Sequence, residues 1–74
     1  MDPNSAKAYF DRGITYYDKK EYDKAISDYN DAIRLDPKYA KAYYNRGIAY
    51  SQQGNKAQAQ TDFDTAKKLG YPPQ

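Results

Sequence analysis

The side chains that could carry catalysis or bind a metal are few in this chain, because it contains neither cysteine nor histidine. Histidine is the usual general base and the commonest metal ligand, and cysteine supplies thiolates and disulfides. The carboxylates are the remaining candidates, with Asp62 and Asp64 closely spaced. Residues two apart on a helix point in different directions, so we expect surface charges rather than an acid–base pair. The composition argues against an enzyme and implies no cofactor and no metal.

Charge and hydropathy narrow the possible partners. Twelve basic and ten acidic residues give a net charge of +2, and the two signs are mixed along the chain without a basic block. This distribution is typical of a solvated surface and gives little support for nucleic-acid binding. No apolar run approaches the length that spans a membrane, and the first residues do not resemble a signal peptide. We therefore expect no membrane partner and a cytoplasmic location.

Capping and turn residues divide the chain into four predicted helices. The second has the clearest amphipathic pattern, an apolar stripe at Tyr22, Ala25, Ile26, Tyr29, Ala32 and Ile33. The predicted helices extend from Asn4 or Ser5 to about Lys19, from Tyr22 to about Leu35, from Pro37 to about Gln53, and from Asn55 to just before Gly70. The connections are short, which predicts antiparallel neighbours and an all-α fold.

Two residues separate the second and third predicted helices. Pro37 cannot continue the preceding helix but suits the first turn of the next one, with Asp36 as its cap. Further along, Gly54 can adopt the left-handed conformation that ends a helix. These features predict that the third helix begins at Pro37.

The chain contains an internal repeat. Residues 6–16 nearly recur as residues 40–50, a spacing of about 34 residues, which is the period of one helix–turn–helix repeat family. Both copies carry the same pattern of aromatic, glycine and alanine residues. They are Tyr9, Gly13, Tyr16, Ala25, Tyr29, Ala32 and Pro37 in the first copy, and Tyr43, Gly47, Tyr50, Ala59, Phe63 and Ala66 in the second.

This pattern resembles the tetratricopeptide repeat family. The resemblance implies an α-solenoid of four helices in two repeats, with a right-handed superhelical tendency and no active site. It assigns residues 1–5 to an N-terminal tail or cap, residues 6–39 to the first repeat, and residues 40–74 to the second repeat with a capping helix and tail. The implied function is that of a protein–protein interaction scaffold.

Several positions predict how the helices pack. We expect Gly13 and Gly47 to let the paired helices approach closely, opposite Ala25 and Ala59 respectively. Arginine stands where the family expects leucine, at residues 12 and 46, so we expect these stems to pack while the guanidinium groups reach solvent or a carboxylate.

The sequence predicts different environments for the two ends of the chain. Gln60 and Lys67 replace Ile26 and Ile33 of the first repeat, which predicts that the last helix is a polar C-terminal cap. The N-terminal Asp-Pro of residues 2–3 occupies the register of residues 36–37, as if a preceding repeat ended there. We expect a chain trimmed from a longer array or engineered.

Partners of tetratricopeptide repeats usually lie in a concave groove lined by the first helix of each repeat. The spacing supports such a groove independently, because Phe10, Ile14 and Tyr17 form an apolar stripe distinct from the one that faces the core. We expect a protein or peptide partner with apolar anchors, with an acidic group for the lysines at its edge. Register assigns nine candidate groove residues: Lys7, Phe10, Asp11, Ile14, Tyr17, Lys41, Tyr44, Asn45 and Ile48.

Other interpretations compete with this one. One family subtype binds the acidic C-terminal tails of chaperones through a two-carboxylate clamp. We disfavour this function, because only Asn45 of the clamp is present, and Phe10 and Ile14 replace the expected lysine and asparagine. RNA binding is disfavoured because Asp11 and Asp18 lie among the groove lysines. The serious alternative is a homodimer that buries the apolar stripe, or the first helix pair, between identical chains.

Overall fold

The computed structural model describes residues 2–72, which form four helices and no strand. They are α1 (Ala6–Asp18), α2 (Tyr22–Leu35), α3 (Ala40–Gln52) and α4 (Lys56–Lys68). The all-α fold predicted from the sequence is confirmed. None of the helices among these residues has the length and apolar character needed to cross a membrane.

Most helix ends lie where the capping residues predict them. The side chain of Ser5 accepts a hydrogen bond from the Ala8 amide at 3.1 Å, and that of Asn55 accepts one from the Gln58 amide at 3.5 Å. Gly54 follows α3 with a φ of 82°, the left-handed conformation expected of a residue that ends a helix. Local chemistry therefore fixes the starts of α1 and α4 and the end of α3.

The predicted start of α3 at Pro37 is wrong. The helix begins at Ala40, and residues 36–39 form a turn instead. The Asp36 side chain accepts a hydrogen bond from the Lys38 amide at 3.1 Å, and its carbonyl accepts one from the Tyr39 amide at 3.0 Å. These bonds satisfy the backbone within the turn, so helical pairing starts three residues later than the proline suggested.

The helices stack in chain order. Helix α1 packs along α2, α2 along α3, and α3 along α4, while α1 and α3 touch only briefly. Helices α1 and α3, the first of each hairpin, therefore lie side by side on one face of the molecule. The deepest core lies between them and α2. It consists of Phe10, Ala25, Ile26, Tyr29, Ala32, Ala42 and Ala49.

Each glycine of the internal repeat accommodates an aromatic ring from the paired helix. A Cβ atom added to Gly13 would lie 2.6 Å from Cε1 of Tyr29, and one added to Gly47 would lie 2.7 Å from Cε1 of Phe63. The Cβ atom added to Gly47 would also lie 3.1 Å from the main-chain oxygen of Ala59. The close approach expected between Gly47 and Ala59 is present. The atoms nearest to Gly13 belong to Tyr29 rather than to Ala25.

Candidate functional site

A pocket of about 120 Å³ opens between α1 and α3. Helix α1 contributes Ile14 and Tyr17 to its walls, and α3 contributes Asn45 and Ile48. The buried ring of Tyr29, from α2, lies beneath them. Four of the nine predicted groove residues, two from each repeat, thus meet at one place.

The pocket is mainly apolar, and three of its lining residues carry a hydrogen-bonding group. Ile14 and Ile48 occupy equivalent positions in the two repeats, and the polar atoms come from the Asn45 amide and the tyrosine hydroxyls. Burial raises the pKa of Tyr29 to about 12, and a hydrogen bond with Asn45 opposes this increase. Tyr29 is therefore an uncharged phenol near neutral pH. Such a pocket suits an apolar side chain accompanied by a single hydrogen-bonding group.

The prediction that Phe10 is an exposed groove residue is wrong. Only 8% of Phe10 is exposed, and its ring centroid lies 4.9 Å from that of Tyr39 and 5.8 Å from that of Tyr29. Tyr39, which precedes α3, closes over Phe10 and draws it into the core. The apolar stripe on α1 is therefore shortened to Ile14 and Tyr17.

Tyr44 is also less available to a binding partner than its position in the repeat suggested. Its ring packs 5.3 Å from Phe63 and 5.2 Å from Tyr71, between ring centroids. Tyr71 returns to this place because Gly70, with a φ of 94°, ends α4 and the Tyr71 amide donates to the Ala66 carbonyl at 2.9 Å. Sequence reasoning gave Tyr71 no role, although the helix-ending glycine before it was a usable signal.

The basic residues at the groove edge already have partners. The ammonium group of Lys7 lies 2.8 Å from the Asp11 carboxylate, one helical turn away, and both side chains are exposed. The Lys41 ammonium lies 6.0 Å from the centroid of the Tyr71 ring. Neither lysine nor Asp11 lines the pocket. These residues form its periphery.

Asp62 is not the surface charge expected from the sequence. It is 3% exposed and accepts two hydrogen bonds from Arg46, at 2.8 and 2.7 Å. Asp28 is equally buried and accepts two from Arg12, both at 2.7 Å. Each pair ties the two helices of one hairpin together, whereas Asp64 is exposed as expected. The pairing could have been found from the spacing, because arginine and aspartate recur 16 residues apart in both repeats.

Known proteins resemble this chain in both sequence and fold. A family model described as "TPR repeat" matches residues 13–54, more than half of the chain, and one described as "Tetratricopeptide repeat" matches residues 40–69. The crystal structure of MamA superimposes with a TM-score of 0.90 and 31% sequence identity, over 92% of this chain and 40% of that one. The chain thus spans less than half the length of MamA. No curated protein sequence shows significant similarity to it.

Proposed function

Because this chain belongs to the tetratricopeptide repeat family, whose members generally mediate protein–protein interaction, we propose that it binds an extended segment of a partner protein between α1 and α3. The observation that supports this proposal is the pocket between Ile14 and Ile48. It lies at the junction of the two repeats, where a bound segment would contact both.

The chemistry of the pocket defines the ligand. An aliphatic side chain of the partner would enter between Ile14 and Ile48 and contact the ring of Tyr29. The Asn45 side chain, in the wall of the pocket, can donate to and accept from the main chain of an extended peptide. Peptide recognition commonly combines such an apolar anchor with main-chain hydrogen bonds.

The surroundings of the charged residues support the remaining parts of the proposal. Lys7 is paired with Asp11 and Lys41 lies over Tyr71, so an acidic group on the partner is not required. Asp28 and Asp62 are each held by an arginine, which favours a binding role over a catalytic one. We propose a non-enzymatic, cytoplasmic module that binds protein rather than nucleic acid or membrane.

Selection from a random peptide display library tests the proposal directly. We expect peptides enriched on the wild-type chain to share one aliphatic position. They should bind Ile48→Glu at least about tenfold more weakly, because the bound aliphatic side chain would cover a carboxylate in place of the apolar wall. Ser27→Glu, on the exposed side of α2, adds the same charge away from the pocket; it is the matched control and should bind like the wild type. Circular dichroism verifies that both variants fold.

Two results would contradict the groove proposal. One is a set of enriched peptides without a common aliphatic position. The other is equal binding to the wild type and to Ile48→Glu, since this would place the peptide elsewhere on the surface.

A further inference from the structure

Two arginines related by the internal repeat have different surroundings. Besides its two bonds to Asp62, Arg46 donates from Nη1 to the side-chain oxygen of Asn30 on α2, at 2.8 Å. Arg12 makes the same two bonds to Asp28, but within residues 2–72 it donates no third side-chain hydrogen bond. The Arg46 side chain is 20% exposed and that of Arg12 is 47% exposed. The difference arises because α2 covers Arg46 and nothing in the described chain covers Arg12.

The surface around Arg12 is otherwise built like the one around Arg46. Each guanidinium lies between two tyrosine rings, 5.7 and 5.8 Å from their centroids at Arg12, and 5.5 and 5.9 Å at Arg46. Ala42 and Ala49 of α3 are fully buried, while their counterparts on α1, Ala8 and Thr15, are half-buried and exposed. The outer face of α1 thus resembles the face of α3 against which α2 packs.

Helix α4 presents the complementary group. Asp64 occupies on α4 the position that Asn30 occupies on α2, and it is exposed. A carboxylate is a stronger acceptor for arginine than the Asn30 amide oxygen, because the bond is charge-assisted. We propose that the outer face of α1 (Ala8, Tyr9, Arg12 and Thr15) docks α4 of a second copy of this chain, whose Asp64 accepts a hydrogen bond from Arg12.

This contact joins two different surfaces of the same chain. A heterologous contact of this kind does not close after two copies, so it produces short head-to-tail chains rather than a symmetric dimer. Gln60 and Lys67 stand on α4 where Ile26 and Ile33 stand on α2, and both are exposed. The contact therefore buries little apolar surface, and it is weak and sensitive to salt. It uses the outer side of α1 and leaves the pocket at Ile14 and Ile48 free.

Substitutions at two exposed residues block the α4 surface and the α1 surface separately. Asp64→Lys places a cation opposite Arg12 and blocks α4, whereas Thr15→Arg adds a bulky cation to α1 and blocks that face. Sedimentation analysis over a concentration series should show the wild type growing beyond a dimer. Each variant should remain monomeric, with association weakened at least about tenfold.

An equimolar mixture of the two variants gives the decisive result. The mixture retains one intact α1 face and one intact α4 face, so we expect a one-to-one heterodimer that dissociates as salt is added. Gln60→Ile with Lys67→Ile restores the apolar residues of α2 and should tighten wild-type association at least about tenfold. Ile48→Glu should associate like the wild type, which keeps this test independent of peptide binding.

A wild-type chain that stays monomeric throughout the series would overturn the proposal. So would association of the wild type that either variant leaves unchanged. A mixture of the variants that remains monomeric would do the same, because it would show that α1 and α4 are not the two partners of the contact.

Discussion

The ring of Tyr29 lies directly against Gly13, so close that a Cβ atom at residue 13 would be 2.6 Å from Cε1 of the ring. The same relationship joins Phe63 to Gly47 in the second hairpin. In each repeat, the missing side chain on the first helix makes room for the aromatic ring of the second. In the first repeat this contact also fixes the base of the pocket, since Tyr29 lies beneath Ile14 and Asn45.

Gly13→Ala should therefore destabilise the chain. Tyr29 is 1% exposed and also packs against Phe10, so its ring has little room to move. Overpacking of about 1–3 kcal/mol outweighs the gain of about 1 kcal/mol in helix propensity, leaving a net loss on the order of 1 kcal/mol. Urea unfolding measures this change. Thr15→Ala, at an exposed position of the same helix, is the control and should not destabilise; an equal or higher stability of Gly13→Ala would contradict the packing argument.

Lys20→Gly should stabilise the chain. Lys20 has a φ of 63°, and its counterpart in the second repeat is Gly54, with a φ of 82°. A residue with a Cβ atom is strained in this region and glycine is not, so the free energy of unfolding should rise by about 1 kcal/mol. The midpoint of urea unfolding reports the change.

The neighbouring residue provides the control for this prediction. Lys19 has a φ of −85°, which any residue adopts easily, so Lys19→Gly gains nothing from relieved strain and loses chain entropy. Lys19→Gly should be less stable than the wild type. A similar effect of both substitutions would show that the backbone angle of Lys20 is not the cause.

Arg46→Met should be strongly destabilising, because it leaves Asp62 buried without a cation. We expect a loss of about 3 kcal/mol or more, the usual result of removing one partner of a buried ion pair. The double variant Arg46→Met with Asp62→Leu should recover most of this loss, since no charge is then left buried. Thermal and urea unfolding of the three chains test this expectation, and a double variant as unstable as the single one would count against it.

Stability should fall at high pH through Tyr29. Burial raises its pKa from 10.0 to about 12, so the folded chain retains the phenolic proton more tightly than the unfolded chain. This contribution is fully present below pH 10 and is lost as the pH rises toward 12, by about 2–3 kcal/mol. Tyr29→Phe, which reproduces Phe63 of the second repeat, should lack this component. Urea unfolding across that pH range would refute the prediction if both proteins lost stability in parallel.

The sequence alone determined the number of helices, most of their ends and the order in which they pair. Helix α2 lies between Tyr22 and Leu35 as its apolar stripe predicts, because periodicity and turn residues act within a few positions of the chain. Ser5, Gly54 and Asn55 fixed helix ends for the same reason. The internal repeat also identified the family and its general role, because the packing positions recur at a fixed spacing.

Only the tertiary structure decided which side chains remain available. Phe10 and Ile14 share one stripe on α1, yet Tyr39 covers Phe10 and leaves Ile14 at the pocket. Asp62 and Asp64 look alike in the sequence, but only Asp62 faces Arg46 across the hairpin. Exposure depends on residues that are distant in the chain, such as Tyr71 over Tyr44. Local sequence patterns predict which side chains lie on one face of a helix. The packing of neighbouring helices determines which of those side chains remain exposed.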